Sequence, residues 1–415
     1  MLTTIIYRSH IGKNTSEPEV EKFIEKANQR NAEAAVTGIL LFDGEHFLQL
    51  LEGPEEEVET IYRVICEDSR HFSLTELLRG YSVERHFGNA GMELFDLRNY
   101  EKSAVLDAVL ARATSKFKLT YDDRTLQFIR TFVECENKAS YLELGESEQW
   151  QFELNEQPEL VAVHSEELPY TFGFQPVINP SSRKILSYEA KMRAADGQSP
   201  LKFFASLQRD EIYEVDLASK QTALEMAKRL GLNDYTLVLK LLPMTLVKNP
   251  EAVSFLLAAI EANGFIPQQI VISIAEDSVV NEDETFNAEI MKLKRAGIRL
   301  AIDNFGAGMA GLLLLTRIQP ELVMVDSDML RDVHKNGPKQ AINQSIIKIC
   351  SSLEIQVIAS GITQVEEWSW LRLAGVKAFQ GELFAGVLPR KLPAINWPVR
   401  HQSIALVLFP SLWRE

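Results

Sequence analysis

Three patterns of apolar and polar positions succeed one another along the chain. In the first, residues 2–98, short strand-like runs alternate with runs of helical spacing. Thr3–Arg8 is β-branched and apolar and predicts a strand, whereas Val20, Phe23, Ile24 and Ala27 recur at helical spacing within Glu17–Asn31. Ile39–Phe42 and Phe47–Leu51 predict two strands joined at Asp43-Gly44, a dipeptide suited to a tight hairpin. Pro54 opens a second helix reaching about Cys66, since proline at the first helical position gives up only a donor that has no partner there. Leu74–Tyr81 and Met92–Leu97 add further strands. The order β-α-β-β-α-β predicts a ferredoxin-like α/β sandwich.

The second pattern is helical, at Val105, Leu106, Val109 and Leu110, and again at Leu126, Ile129, Phe132 and Val133. Glu134–Glu167 is acidic, lacks a clear period and reads as a connector, with the domain boundary inside it. The third pattern, Tyr170–Pro398, repeats strand and helix. Apolar runs fall at Ile185–Tyr188, Thr236–Leu242, Ile270–Ile274, Leu300–Ile302, Leu322–Val325 and Val357–Ala359, with amphipathic segments such as Lys220–Gly231 and Pro338–Leu353 between them. Parallel βα units of that number and length predict a (β/α)8-type barrel. The expected organisation is a sandwich over 1–98, a helical and acidic connector over 99–165, and a barrel over 166–402.

Composition narrows the function classes. With 415 residues and 46% apolar content the chain can bury two or three cores. No apolar stretch approaches the ~20 residues of a membrane helix, and MLTTIIYRSH lacks the basic and long apolar regions of a secretion signal. Cys66, Cys135 and Cys350 are isolated and read as reduced thiols, so a cytoplasmic location is expected. The net charge of −15 is spread out, with no basic stripe to neutralise phosphates. Direct nucleic-acid binding is not expected, and any influence on DNA runs through another protein.

Candidate chemistry sits in two places. Asp303–Gly308, DNFGAG, puts a carboxylate on a Gly-rich loop after a buried strand, a usual position for metal chemistry on a barrel. The neighbouring strand ends present Lys240, Ser273, Met324 and Ser360, which can neither hold a hard cation together nor activate water. That pattern looks like an enzyme scaffold from which the chemistry has been removed. In the first domain Tyr7, Asn31, Gln49 and Met92 are polar or polarizable residues within apolar elements. Taken singly, each reads as a core group satisfied by the backbone.

Residues 1–98 resemble the BLUF family of blue-light sensors that use flavin. The resemblance runs through TTIIYRS, the Thr37–Gly53 block TGILLF-DG-EHFLQLLEG, DSRH at Asp68–His71 and GMELFDL at Gly91–Leu97. It implies FAD as the cofactor, with Asn31 presenting its amide to the ring and Gln49 bridging the ring and the Tyr7 phenol. Light would draw an electron and a proton from Tyr7, leave the Gln49 amide reoriented or tautomerised, and shift absorption to the red. Met92 would sense the altered hydrogen bonds. Arg30, Asp68, Arg70 and His71 are expected at the ribityl–phosphate arm, with solvated loop charges as the competing reading. Ala90 stands where many relatives carry Trp, so a Trp-dependent switching step is not expected.

YEAKMR at Tyr188–Arg193, LAIDNFGAG and FQGELF at Phe379–Phe384 resemble the EAL family of cyclic-di-GMP phosphodiesterases, over about residues 170–398. Active members use two metals at the C-terminal strand ends, which requires converging oxygen ligands. Residue by residue the resemblance implies that Glu189 is kept while the Leu of the signature is Lys191. The Asn ligand is Lys240, a Glu ligand is Ser273, the second Asp of the pair after Asp303 is Asn304, the water-assisting Lys is Met324, and a late Glu ligand is Ser360. Gln380 remains nearby. Only Glu189 and Asp303 survive, as vestiges, so neither metal nor turnover is expected and cyclic-di-GMP binding is weakened.

The combination resembles enterobacterial blue-light antirepressors, which implies a lit barrel that binds a MerR-like transcriptional repressor, and a homodimer at least in the lit state. The alternatives are a blue-light-activated cyclic-di-GMP phosphodiesterase and a non-hydrolysing sensor of that nucleotide.

Overall fold

The structure, a computed structural model, describes residues 1–12, 17–82, 85, 87–88, 91–99, 101–111, 124–135, 150–155, 169–194, 199, 201–208, 211–276, 284–308 and 311–400. Ala90, most of the acidic connector, and the side chains of Val20 and Phe23 lie outside the described residues. The chain divides into two compact units. One draws on residues 1–146, 327–354 and 366–376, the other on 147–326, 355–365 and 377–415.

The first unit is built on β1 (Leu2–Ile11), α1 (Glu17–Glu33), β2 (Thr37–Phe42), β3 (His46–Pro54), α2 (Glu55–Cys66), β4 (His71–Ser82), β5 (Gly91–Asp96), α3 (Lys102–Ala111) and α4 (Arg124–Glu134). The sheet order is β4-β1-β3-β2-β5, antiparallel except for the parallel β2–β5 pair, so the sandwich carries a fifth strand. The β2–β3 hairpin turns where Asp43-Gly44 predicts it. Asp43 Oδ1 accepts from the Glu45 and His46 amides at 3.0 and 2.7 Å, and Gly44 takes φ 105°.

α2 starts after Pro54 with Glu55, Glu56 and Glu57 in its first turn, where the helix dipole favours carboxylates, and buries Val58 and Ile61 one turn apart. Those two side chains join Ile5, Tyr7, Val36 and Leu51 on one face of the sheet. The helical stripes read in the second region cover the other face. Val105 and Val109 of α3 with Leu126, Ile129, Phe132 and Val133 of α4 pack on Ile6, Ile39, Leu41, Leu48, Leu50 and Phe95. The segment between 327 and 354 belongs to this unit through its helix Gly337–Ser352, which runs beside β4.

The second unit contains β6 (Trp150–Asn155), β7 (Tyr170–Asn179), β8 (Lys184–Ala194), β9 (Leu237–Lys240), β10 (Ile270–Ala275), β11 (Arg299–Phe305), β12 (Leu322–Val325), β13 (Gln356–Ala359), β14 (Ala378–Phe379) and β15 (Ile395–Arg400). Strands β7 to β14 close into a barrel of eight, as the repeat pattern predicts. It departs from an all-parallel barrel in one strand, because β7 runs antiparallel to both β8 and β14. Only residues 180–183 join β7 to β8, with Arg183 at φ 50°, and a parallel crossover needs about a dozen residues. β6 falls in the stretch read as connector and pairs with β15. The signal was present, since Trp150, Phe152 and Leu154 alternate with polar residues.

Val177, Val238, Val271, Ala301, Leu322, Met324, Ile358 and Ala378 form an apolar cluster contributed by seven of the eight barrel strands, the layered filling such a barrel requires. Among the described residues no helix is long and apolar enough to cross a membrane.

Candidate functional site

Tyr7 on β1 stands directly opposite Gln49 on β3, and Gly38 on β2 opposite Met92 on β5, so neighbouring strands deliver the first domain's candidates to one spot. The Tyr7 phenol donates to Gln49 Oε1 in a short contact. Gln49 Nε2 in turn donates to Met92 Sδ at 3.3 Å. All three are buried. Burial pushes the Tyr7 phenol well above its ordinary pKa, with Cys66 and Asp68 adding to the shift, so it is a neutral donor at any ordinary pH.

Asn31 closes the group. Its Nδ2 is buried without a hydrogen-bond partner, a costly state for an amide unless an acceptor fills it. A Cβ on Gly38 would come within 2.7 Å of that Nδ2 and 3.1 Å of Met92 Cγ, so the glycine leaves the room these two side chains use. A flavin ring, with carbonyls and a ring N–H at its polar edge, fits this arrangement of one orphaned donor beside a reorientable amide.

The four residues expected at the phosphate arm are disposed differently. Arg30 is exposed near the end of α1. Asp68 is held by the Arg70 guanidinium, whose Nε lies 2.8 Å from Oδ1, and this pairing lowers its carboxyl pKa. His71 turns inward, with Nδ1 2.9 Å from Ser9 Oγ and Nε2 3.1 Å from Ile65 O. Burial lowers its pKa and outweighs the opposing pull of Asp68.

Sequence reasoning missed a contact one residue from Tyr7. Arg8 Nη2 donates to Gln340 Oε1 at 3.2 Å, and Thr75 Oγ1 to His334 O at 3.5 Å. Both partners lie in the segment that the chain inserts between β12 and β13.

At the barrel, Glu189 and Asp303 are each matched by a lysine. Lys240 Nζ, at the end of β9, lies 2.7 Å from Asp303 Oδ2 at the end of β11. Lys191 Nζ lies 3.1 Å from Glu189 Oε2, which also accepts from Gln380 Nε2 at 2.8 Å. Ser360 Oγ donates to Val325 O at 2.6 Å, Ser273 Oγ is buried with no partner, and Met324 belongs to the apolar filling of the barrel. Asn304 takes φ 53°, a left-handed conformation that Asn tolerates better than most residues. At these two positions each carboxylate faces an ammonium group that offsets its charge.

Two carboxylates escaped the sequence reading. Glu276 is buried directly after β10, accepts from the Gly306 amide at 2.7 Å through Oε2 and so anchors the DNFGAG loop. Its position after an apolar run, like that of Asp303, is the signal that could have found it. Asp216 pairs with Lys220 at 2.6 Å and accepts from the Leu242 amide and from Thr245 Oγ1 at 2.9 and 2.6 Å. It thereby fixes the turn just beyond Lys240.

The family model described as "Sensors of blue-light using FAD" matches residues 2–93, and the EAL domain model matches residues 161–386. The chain is 48% identical over 401 residues to the blue light- and temperature-regulated antirepressor BluF of Escherichia coli, covering 96% of this chain and 99% of that one. The cyclic di-GMP phosphodiesterase PdeR of the same organism is 29% identical over 120 residues, 29% of this chain and 18% of that protein. Among solved structures, the manganese/cy-diGMP complex of Klebsiella pneumoniae BlrP1 is 35% identical with a TM-score of 0.88, over 96% of this chain and 100% of that one.

Proposed function

Because the chain belongs to the family that joins a BLUF sensor of blue light, using FAD, to an EAL barrel, we propose that its lit state docks on a MerR-like transcriptional repressor through a barrel that hydrolyses no cyclic-di-GMP. The observation that carries the choice between antirepressor and enzyme is the pairing of Asp303 with Lys240 and of Glu189 with Lys191. A phosphodiesterase of this class needs anionic ligands converging on two metals. Here the remaining anions already have cationic partners, and Ser273 and Ser360 supply hydroxyls where the resemblance calls for carboxylates.

On the sensing side, Tyr7, Asn31, Gln49 and Met92 are the residues we assign to the flavin. Bound FAD supplies a blue-absorbing ring that takes up an electron when excited. Asn31 offers its orphaned N–H to that ring. Tyr7, in a dry site with no charged hydrogen-bond partner, holds a proton that can pass along its bond to Gln49. The amide of Gln49 has two faces of opposite polarity: Oε1 meets the Tyr7 donor and Nε2 meets Met92 sulfur. Reversing it would set Oε1 against Met92 Sδ, two acceptors in contact, and so drive Met92 and β5 to shift. That is how a single amide can report light to the backbone. Arg30, Asp68, Arg70 and His71 remain our assignment for the vicinity of the phosphate arm.

The rest of the reading follows. Ile342, Ile349 and Leu353 are exposed at spacings that share one helical face, which supports a homodimer at least in the lit state. Sedimentation of Ile342→Asp should then give monomer under light where the parent gives dimer. The acidic chain suits a basic DNA-binding protein as partner and not nucleic acid itself. We place it in the cytoplasm, where its three free cysteines stay reduced.

Two assays test the whole. Purified lit protein is incubated with cyclic-di-GMP and magnesium or manganese, and separately with the repressor on its operator. Light-dependent release of the operator without linearised nucleotide supports the proposal. Light-dependent linearisation establishes the photoactivated phosphodiesterase instead, and binding without turnover establishes a nucleotide sensor.

A further inference from the structure

At the far end of the β1–β3 pair, away from the flavin residues, three side chains of metal-ligand type converge. His10 and His46 are direct cross-strand partners, and Glu45 precedes His46 at the mouth of the hairpin. One ligand atom from each of His10, Glu45 and His46 lies within 4.8 Å of the other two, and among the described residues no second group of this kind occurs. We propose that His10, Glu45 and His46 form a binding site for a borderline first-row cation, zinc above all, on the face of the sheet opposite Tyr7 and Gln49.

The face follows from the strands. His10 lies three residues from Tyr7 and His46 three from Gln49, and an odd separation along a strand reverses the side-chain direction. The cluster therefore has no part in the flavin chemistry. Its geometry has what a zinc site needs around the ligands. A ligating histidine commonly donates its other ring N–H to a carbonyl or carboxylate, which fixes tautomer and ring orientation.

Nδ1 of His10 lies 2.9 Å from Ile11 O, so it is the donor and the lone pair resides on Nε2. Nδ1 of His46 lies 3.6 Å from Asp43 Oδ2, so a carboxylate stands near the orienting place without a hydrogen bond to the ring. Asp43 also ties the hairpin corner through its other oxygen, so it belongs to the same turn as Glu45 and His46. The rings are held as well: His10 stacks on Phe72 at 4.6 Å and meets the His46 ring edge-on at 4.8 Å.

The donor set selects the ion. Two imidazoles and one carboxylate suit zinc and its neighbours and are wrong for magnesium or calcium, which require oxygen ligands. Three protein ligands leave the fourth tetrahedral position to water. The Glu45 side chain is exposed, so its rotation can draw the ligand atoms, which lie within 4.8 Å of one another, toward the separations a tetrahedral zinc requires.

The test uses the full flavin-loaded chain, freed of metal by a chelator, and titrates zinc chloride against a chromophoric zinc indicator. One zinc per chain is expected. His10→Gln and His46→Gln should each weaken it at least about 100-fold, Glu45→Gln less. Asp43→Asn keeps the turn's acceptor and should cost about 10-fold to 100-fold, as removal of an orienting partner does. The flavin absorption spectrum of each variant reports that the unit is folded. Calcium should not compete. Zinc affinity unchanged in both histidine variants overturns the proposal, as does a loss confined to Cys66→Ser, which would place the metal on the exposed thiol.

Discussion

Replacing Lys240 by Asn tests the reading of the barrel most directly. The ammonium lies 2.7 Å from Asp303 Oδ2, so a divalent cation bound to that carboxylate would sit about 4 Å from it. Two charges and one at that distance repel by roughly 8 kcal/mol at an effective dielectric of 20, and by about 2 kcal/mol in bulk water. The lysine side chain is 45% exposed, which places the repulsion toward the watery end, at about 2–4 kcal/mol. At 1.4 kcal/mol per tenfold, Lys240→Asn should raise manganese affinity by about 30-fold or more.

Electron spin resonance of free manganese, titrated against parent and variant, measures this. On the proposed reading neither parent nor variant should hydrolyse cyclic-di-GMP, because Ser273 and Ser360 offer no carboxylate in either. Manganese affinity within a few-fold of the parent would refute the argument that lysine excludes the metal. Turnover restored by this one change would refute the argument that several ligands are missing.

Tyr7→Phe removes the donor to Gln49 while leaving the ring volume, so the protein should bind flavin yet lose its light-induced absorption shift, as difference spectroscopy would record. Phe132→Ala empties a fully buried site under the sheet and should cost about 3–5 kcal/mol in denaturant unfolding. Because burial holds His71 below its usual pKa, the unfolded chain takes up a proton as pH falls through about 6.5 while the native state resists it. The His71 contribution to stability is thus present above that pH and is lost as the solution is acidified toward the lowered native value. His71→Gln should flatten, between pH 7.5 and 5.5, the part of the unfolding profile that this residue supplies. His334, also shifted down by burial, leaves a residual slope.

The order of elements, both fold types and the hairpin at Asp43-Gly44 could be read from the chain, because they rest on interactions within a few residues: apolar period, proline at a helix start, glycine at a turn. The resemblance of local motifs likewise suggested residues for each site, of which Tyr7, Gln49 and Met92 meet in the structure. What failed at this level was short or marginal. β14 is two residues long and carries no period, and β6 gains its partner only from β15, some 240 residues later.

The decisive contacts were invisible for the same reason. Lys240 meets Asp303 across 63 residues, Gln380 meets Glu189 across 191, and Arg8 meets Gln340 across 332. The sequence shows a lysine at 240 and an aspartate at 303, but only barrel closure brings the charge of one onto the other. His10 and His46 stand in the same relation: two unremarkable histidines until strand register sets them side by side.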